Sequence, residues 1–181
     1  MSEKDLQTLK NKFADAVLET HSFRGDDTAV IKRDSIVDVC TFLHERPDTA
    51  FDMPIDVTCV DYSEYSEPVV ESARFMVVYH LRSNSKNHRI RLKVPLQEDD
   101  AVVASVTGVW RGVSWFEREV YDMFGVKFHG HPDLRRLLLY PEFQGHPLRK
   151  EYPVRGYQPP MDMPTLNGDP IPGVTDEEDE E

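Results

Sequence analysis

Cysteine is scarce in this chain: Cys40 and Cys59 are the only two among 181 residues, and they form no C-x-x-C pair. A disulfide framework, a zinc ribbon and an iron–sulfur cluster are therefore not expected. Long apolar runs are missing too. Charges fall in every stretch of twenty residues and the mean hydropathy is −0.53, whereas a membrane-spanning helix needs about 20 mostly apolar residues in succession. The opening Met1-Ser2-Glu3-Lys4-Asp5 is charged and lacks the apolar run of a signal peptide. A chain that works in the cytoplasm, or at most peripheral to a membrane, is expected. No glycine-rich phosphate loop occurs, and residues 156–181 contain no Lys or Arg.

The charge that is present is unevenly spread. Of the net −12, residues 1–110 carry −6 and residues 156–181 carry −8, while residues 111–155 carry +2. Nucleic-acid binding requires a clustered basic face, which an acidic chain of this kind does not offer. The slightly basic middle marks a specialised region.

Leu6, Leu9, Phe13, Ala16 and Val17 recur at three- and four-residue spacing, which predicts an amphipathic helix over about 3–20. Residues 28–31 read as a short strand. Ser35 is placed to cap a second helix with Ile36, Val39, Cys40 and Leu43 on one face, ended by Pro47. Ile55, Val57, Cys59 and Asp61 alternate as a half-buried strand, and 73–82 with 88–94 form a hairpin. In its second strand Ile90, Leu92 and Val94 face one way, and Arg89, Arg91 and Lys93 the other. Residues 102–113 fit either strand or short helix. Ser114 with Glu117 has the form of a capping box opening a helix that Gly125 terminates. Trp115, Val120, Met123 and Phe124 are its apolar members; Glu117, Arg118, Glu119, Tyr121 and Asp122 are its polar ones.

Beyond Pro141, prolines recur at 147, 153, 159, 160, 164, 170 and 172, so extended chain rather than regular structure is expected. Residues 176–181 are all acidic and read as disordered. The order of elements predicts an α+β fold: a two-layer domain with a mixed or antiparallel sheet packed by helices, plus an extended C-terminal tail. Residues 1–130 would form the body, 131–175 a subunit-docking tail and 176–181 the acidic end. A long tail without its own core makes sense when it lies on a partner.

Two clusters invite chemical readings. Glu119 and Asp122, three apart on a helix, suggest an acid/base pair; the competing reading is a surface of local ion pairs. His129, His131, Asp133 and His146 suggest a zinc site; the competing reading is imidazoles that cap turns. Arg135, Arg136, Arg149, Lys150 and Arg155 are expected to meet carboxylates on a protein, where arginine forks bind bidentately. Trp110 and Trp115 read as core or interface anchors.

Residues 115–153, WFEREVYDMFGVKFHGHPDLRRLLLYPEFQGHPLRKEYP, carry something more specific. They closely resemble the signature region of the C subunit, the 30 kDa subunit family, of respiratory complex I, the NADH:quinone oxidoreductase. The first block places Glu117, Arg118, Glu119, Asp122, Phe124 and Gly125. The second places Phe128, Gly130, His131, Pro132, Asp133, Leu134, Arg135 and Arg136. The third places Gly145, His146, Pro147, Leu148, Arg149, Lys150, Tyr152 and Pro153. Three linked blocks with matching gaps are far more specific than one short motif.

The resemblance implies a structural subunit of the hydrophilic arm, with no catalytic, cofactor-binding or metal-ligating residue of its own. The complex carries FMN and iron–sulfur clusters and couples electron transfer from NADH to quinone with proton translocation. The implied partners are the quinone-site protein of the complex (D) and the iron–sulfur proteins beside it (B and I). The implied place is the cytoplasmic face of the inner membrane, peripheral through the complex. The separate form, not fused to the quinone-site protein, is expected. Related membrane-bound hydrogenases and deazaflavin or ferredoxin dehydrogenases share the module and stand as the alternative. A stand-alone metal-dependent hydrolase is the alternative of another class.

Overall fold

The computed structural model describes residues 3–65, 70 and 73–159. The acidic end at 176–181 and the prolines beyond 159 lie outside the described residues. Helix α1 (Glu3–Lys12) leads into strands β1 (Val17–Phe23) and β2 (Asp26–Ile31). A 3-10 turn (Arg33–Ser35) runs into α2 (Ile36–Glu45), followed by β3 (Met53–Asp61), β4 (Phe75–Ser83) and β5 (His88–Leu96). Then come β6 (Val102–Ala104), α3 (Val113–Phe124) and β7 (Lys127–His129). The main sheet has the order β1-β2-β5-β4-β3, in which β2 and β5 run parallel and the other neighbours antiparallel. It is mixed, as the α+β expectation requires.

The helix expected over 3–20 is shorter than its spacing suggests. Leu6 and Leu9 are buried on α1, but the backbone turns at Phe13, whose carbonyl accepts the N–H groups of Ala16 and Val17 at 2.9 and 3.0 Å. Val17 then begins a strand paired to β2, joined through Arg24 and Gly25 at φ 53° and 86°. Positive φ at two successive turn residues matches the twist that hairpins favour. The apolar spacing at 13, 16 and 17 thus serves a turn and a strand rather than a helical face.

The β4–β5 hairpin follows its alternation. Ile90, Leu92 and Val94 are buried on the inner face, while Arg91 and Lys93 are half-buried and Arg89 is exposed. On β4, Met76 and Val78 are buried beside the inward Val77 and Tyr79, as befits an inner strand. Ile36, Val39, Cys40 and Leu43 pack α2 into the same core as Val57, Cys59 and Trp110. The ambiguous stretch 102–113 divides into β6 and a turn. β6 and β7 pair in parallel with α3 as the connection between them, a small βαβ unit set beside β3.

Candidate functional site

Helix α3 starts differently from the capping box expected at Ser114 and Glu117. Gly112 stands at the N-cap with no side-chain bond, and Ser114 lies inside the first turn. Its Oγ meets His131 Nε2 at 3.1 Å. Glu117 points inward and is fully buried; its carboxylate accepts from Ser105 Oγ at 2.6 Å and from the Val106 N–H at 2.8 Å. Burial raises its pKa to about 7 against those two hydrogen bonds. Glu117 therefore fastens the β6–α3 loop to the helix.

The next turn of the helix fastens the second motif block. Arg118 is 8% exposed; its Nε donates to the Arg135 carbonyl at 3.1 Å and its Nη2 to the Arg136 carbonyl at 3.0 Å. Asp122 is fully buried and accepts four hydrogen bonds. One oxygen takes the N–H groups of Leu137, Leu138 and Leu139 at 2.9, 2.8 and 2.9 Å, and the other takes Arg136 Nη1 at 2.8 Å. Burial pushes the Asp122 carboxyl up, but these donors outweigh it and hold the group below the usual carboxylate range. Three consecutive N–H groups aimed at one oxygen form an anion-binding concavity.

The third block closes the helix's C-terminal end. The last four carbonyls of a helix have no partners within it. Here the carbonyl of Tyr121 accepts the Gly125 N–H at 2.9 Å, and that of Met123 accepts the Leu148 N–H at 3.1 Å. The carbonyl of Asp122 accepts from His146 Nδ1 at 2.9 Å, and that of Phe124 from Arg149 Nε at 2.6 Å. All four are satisfied, three of them by residues 146–149. Gly125 has φ 77°, and a Cβ there would lie 2.6 Å from His146 Nε2 and 2.7 Å from Arg149 Nη2. Glycine is required both for the left-handed turn and for this close approach. Arg136 Nη2 meanwhile reaches the Gly145 carbonyl at 3.1 Å, linking the second block to the third.

A further anchor ties the same segment to the sheet. Asp61, at the end of β3, accepts the Lys150 N–H at 3.0 Å and the Arg74 guanidinium at 3.0 and 3.2 Å. Arg74 also pairs with Glu98 and Glu151. Burial opposes the Asp61 charge, yet Arg74, Lys150 and Ser63 bring its pKa down to about 2. Arg74 was not among the sequence candidates. Its signal was Asp61 itself, a carboxylate on the core-facing side of an alternating strand, which needs a buried cation.

Several expectations are corrected. Glu119 and Asp122 form no acid/base pair: Glu119 is exposed, and Asp122 is consumed by the arm. Glu117, Arg118 and Asp122 are buried rather than a solvated polar face, because their partners come from other segments. The four zinc candidates diverge. His131 bonds Ser114 through Nε2 and accepts the Asp133 N–H on Nδ1 at 3.0 Å, His146 caps α3, and His129 is exposed. Among the described residues, no group of three or more His, Cys, Asp or Glu is placed to hold a metal. Arg136 and Arg149 spend their donors within the chain, and Arg135 pairs with Asp133 at 2.9 Å. Lys150 and Arg155 remain exposed, as does Pro132; Pro147 is half-buried in the capping turn. Trp110 is core, donating to the Phe51 carbonyl at 3.2 Å, while Trp115 is on the surface. No helix among the described residues is long and apolar enough to cross a membrane.

Comparison with known proteins finds similar chains. The family model described as respiratory-chain NADH dehydrogenase, 30 Kd subunit, matches residues 29–158. The chain is 45% identical over 148 residues to the C subunit of NADH-quinone oxidoreductase from Geobacter sulfurreducens, covering 82% of this chain and 87% of that one. It is 46% identical over 149 residues to the protein of the same name from Thiobacillus denitrificans, covering 82% and 74%. Among solved structures, a trypsin-resistant fragment (1–134) of Nqo5 superposes with a TM-score of 0.61 at 29% identity, over 73% of this chain and 98% of that one. A chain of an archaeal membrane-bound sulfane sulfur reductase superposes with a TM-score of 0.67 at 23% identity, over 84% and 86%; that likeness concerns the fold alone.

Proposed function

The chain belongs to the 30 kDa subunit family of respiratory-chain NADH dehydrogenase, and we propose that it is a structural, non-redox subunit in the hydrophilic arm of NADH:quinone oxidoreductase. The complex passes electrons from NADH to quinone and translocates protons; this chain contributes shape. It sits against the quinone-site protein and near the iron–sulfur proteins beside it, at the cytoplasmic face of the inner membrane, held there by its partners. FMN and the iron–sulfur clusters belong to the other subunits.

One observation carries this reading. Asp122, Arg118 and Arg136 tie a segment with no helix or strand of its own onto α3. Arg118, Asp122, Arg136 and Arg149 are used to hold that segment in shape. Arginine and carboxylate groups so committed build a surface rather than perform chemistry. The described arm, residues 131–159, is then the docking element, with Arg118, Asp122, Gly125, His131, Arg136, Gly145, His146, Pro147 and Arg149 as its fastenings, while Glu117 holds the β6–α3 loop. Glu119, Pro132, Asp133 and Arg135 face outward toward a neighbour.

Tagging the chain and purifying it from a mild detergent extract tests the assignment. Recovery with the subunits of NADH:quinone oxidoreductase is expected. Recovery alone would sink it, and recovery with hydrogenase subunits would transfer it to the sister complexes.

A further inference from the structure

Another buried polar cluster lies outside the arm, where α1 meets the main sheet. His88, the first residue of β5, is stacked on Phe51 with ring centroids 4.7 Å apart. Its Nε2 lies 3.0 Å from the Thr49 carbonyl, and its Nδ1 lies 2.8 Å from Asp5 Oδ2. A carbonyl only accepts, so Nε2 carries a hydrogen. At 2.8 Å a bare Nδ1 and a carboxylate oxygen would oppose two lone pairs. A second proton therefore sits between His88 and Asp5, and it belongs to the pair.

Asp27 completes the cluster. It falls in the inward rank of β2 with Ala29 and Ile31, is 1% exposed, and has no hydrogen-bond donor on either carboxyl oxygen among the described residues. Burial raises the Asp5 carboxyl above its usual range, with His88, Arg46 and the amino-terminal charge opposing and Asp27 adding to it. Arg46, itself paired with Asp48 at 3.0 Å, lines a cleft of about 410 Å³ with Lys86 and Thr8, and the cleft reaches Asp5 and His88.

Helix α1 depends on its docking. At ten residues it is shorter than the roughly 12–15 that an isolated helix needs. Leu6 and Leu9 supply the apolar contacts. Among the described residues, Asp5 to His88 is the one polar side-chain link from α1 to the sheet. Without the shared proton, an imidazole lone pair and two buried carboxyl groups face one another with no donor between them. Burial penalises that arrangement, and outward movement of α1 relieves it by readmitting water.

We propose that α1 is held by a pH-operated latch: a proton shared between Asp5 and His88 docks the helix, and its loss as pH rises frees it. The docked state binds this proton more tightly than the free helix does. Docking is therefore stabilised at low pH and loses that stabilisation as pH rises through the titration of the pair. The latch needs no partner subunit.

Amide hydrogen exchange of residues 6–10 in the full-length chain tests it between pH 5 and pH 9. Rates are corrected for their intrinsic pH dependence and referenced to Val77 and Tyr79 on β4, both fully buried. Relative to β4, α1 should exchange at least about tenfold faster at pH 9 than at pH 5. Asp5→Asn leaves an amide to donate to Nδ1 and no shared proton to lose, so that change should shrink to less than about twofold. Nuclear magnetic resonance of the His88 ring in the wild-type chain adds a reading that no variant's folding affects. Nδ1 should lose its proton over the pH interval in which α1 is released, while Nε2 keeps its own. Exchange of α1 that follows β4 at every pH would overturn the latch. So would a tenfold change that persists in Asp5→Asn, or a His88 titration outside the interval of release.

Discussion

The carbonyl of Asp122 accepts the Nδ1–H of His146, 24 positions downstream, at 2.9 Å, while the carboxylate of the same residue grips Arg136 and three backbone N–H groups. One helical residue thereby holds both halves of the arm. Burial lowers the His146 pKa, with Arg149 and Arg136 adding to it against the Asp122 carbonyl and carboxylate, which favours the neutral ring that this bond uses.

Replacing Asp122 by Ala should therefore cost about 3–5 kcal/mol, the range for breaking a buried pair and leaving its partner charge uncompensated. Urea unfolding of the isolated chain measures this. A loss below about 1 kcal/mol would mean that the arm contributes little to the stability of the body.

Gly125→Ala should detach the arm more than it unfolds the body. The new Cβ meets His146 and Arg149, and the left-handed φ of 77° adds strain of about 1–2 kcal/mol. Limited trypsin digestion should cut sooner after Arg149 and Lys150 than in wild type. Unchanged cleavage there would show that the capping contacts are dispensable.

The elements readable in advance were those whose signal is local. The β4–β5 hairpin follows from two apolar runs around the polar turn 83–87, with alternation from Arg89 to Val94 in the second, and the end of α3 follows from Gly125. Charge burial on α3 was not readable, because the groups that make it tolerable are the carbonyls of Arg135 and Arg136, the N–H groups of residues 137–139 and Ser105, all outside the helix. Helical periodicity treats Glu117 and Asp122 as solvent-facing by type; remote partners decide otherwise. The β1 strand was hidden because Phe13, Ala16 and Val17 mimic a helical stripe while belonging to a turn and to the start of the strand.

Stability should depend on pH in two opposed ways. Asp61, brought down to about 2 in the folded chain, contributes stability present above the ordinary carboxylate pKa of about 4 and lost as pH falls toward 2. Glu117, raised to about 7, acts in the other sense: the fold favours its protonated form, so stability falls as pH rises from about 4.5 to about 7. The Glu117 effect is on the order of 3 kcal/mol. Glu117→Gln preserves an acceptor for Val106 and a donor for Ser105, and should flatten the decline. Chemical denaturation from pH 5 to 8 checks this; an unaltered slope in the variant would assign the dependence to another group.

Arg74→Gln should loosen residues 149–151 from the sheet, since Arg74 joins Asp61, Glu98 and Glu151. The Lys150 amide, bound to Asp61 at 3.0 Å, should exchange at least about tenfold faster, equivalent to about 1.4 kcal/mol of lost protection. Exchange at the wild-type rate would show that Asp61 holds the arm without Arg74.

Arg136→Ala, expressed in place of the wild-type chain, separates a chain that supplies shape from one that supplies chemistry. Native gel electrophoresis of the membranes, combined with NADH-driven quinone reduction, reads assembly and turnover together. Both should fall in proportion, with normal activity per assembled complex. A full complement of intact complex with turnover selectively lost would instead place this chain in the chemistry.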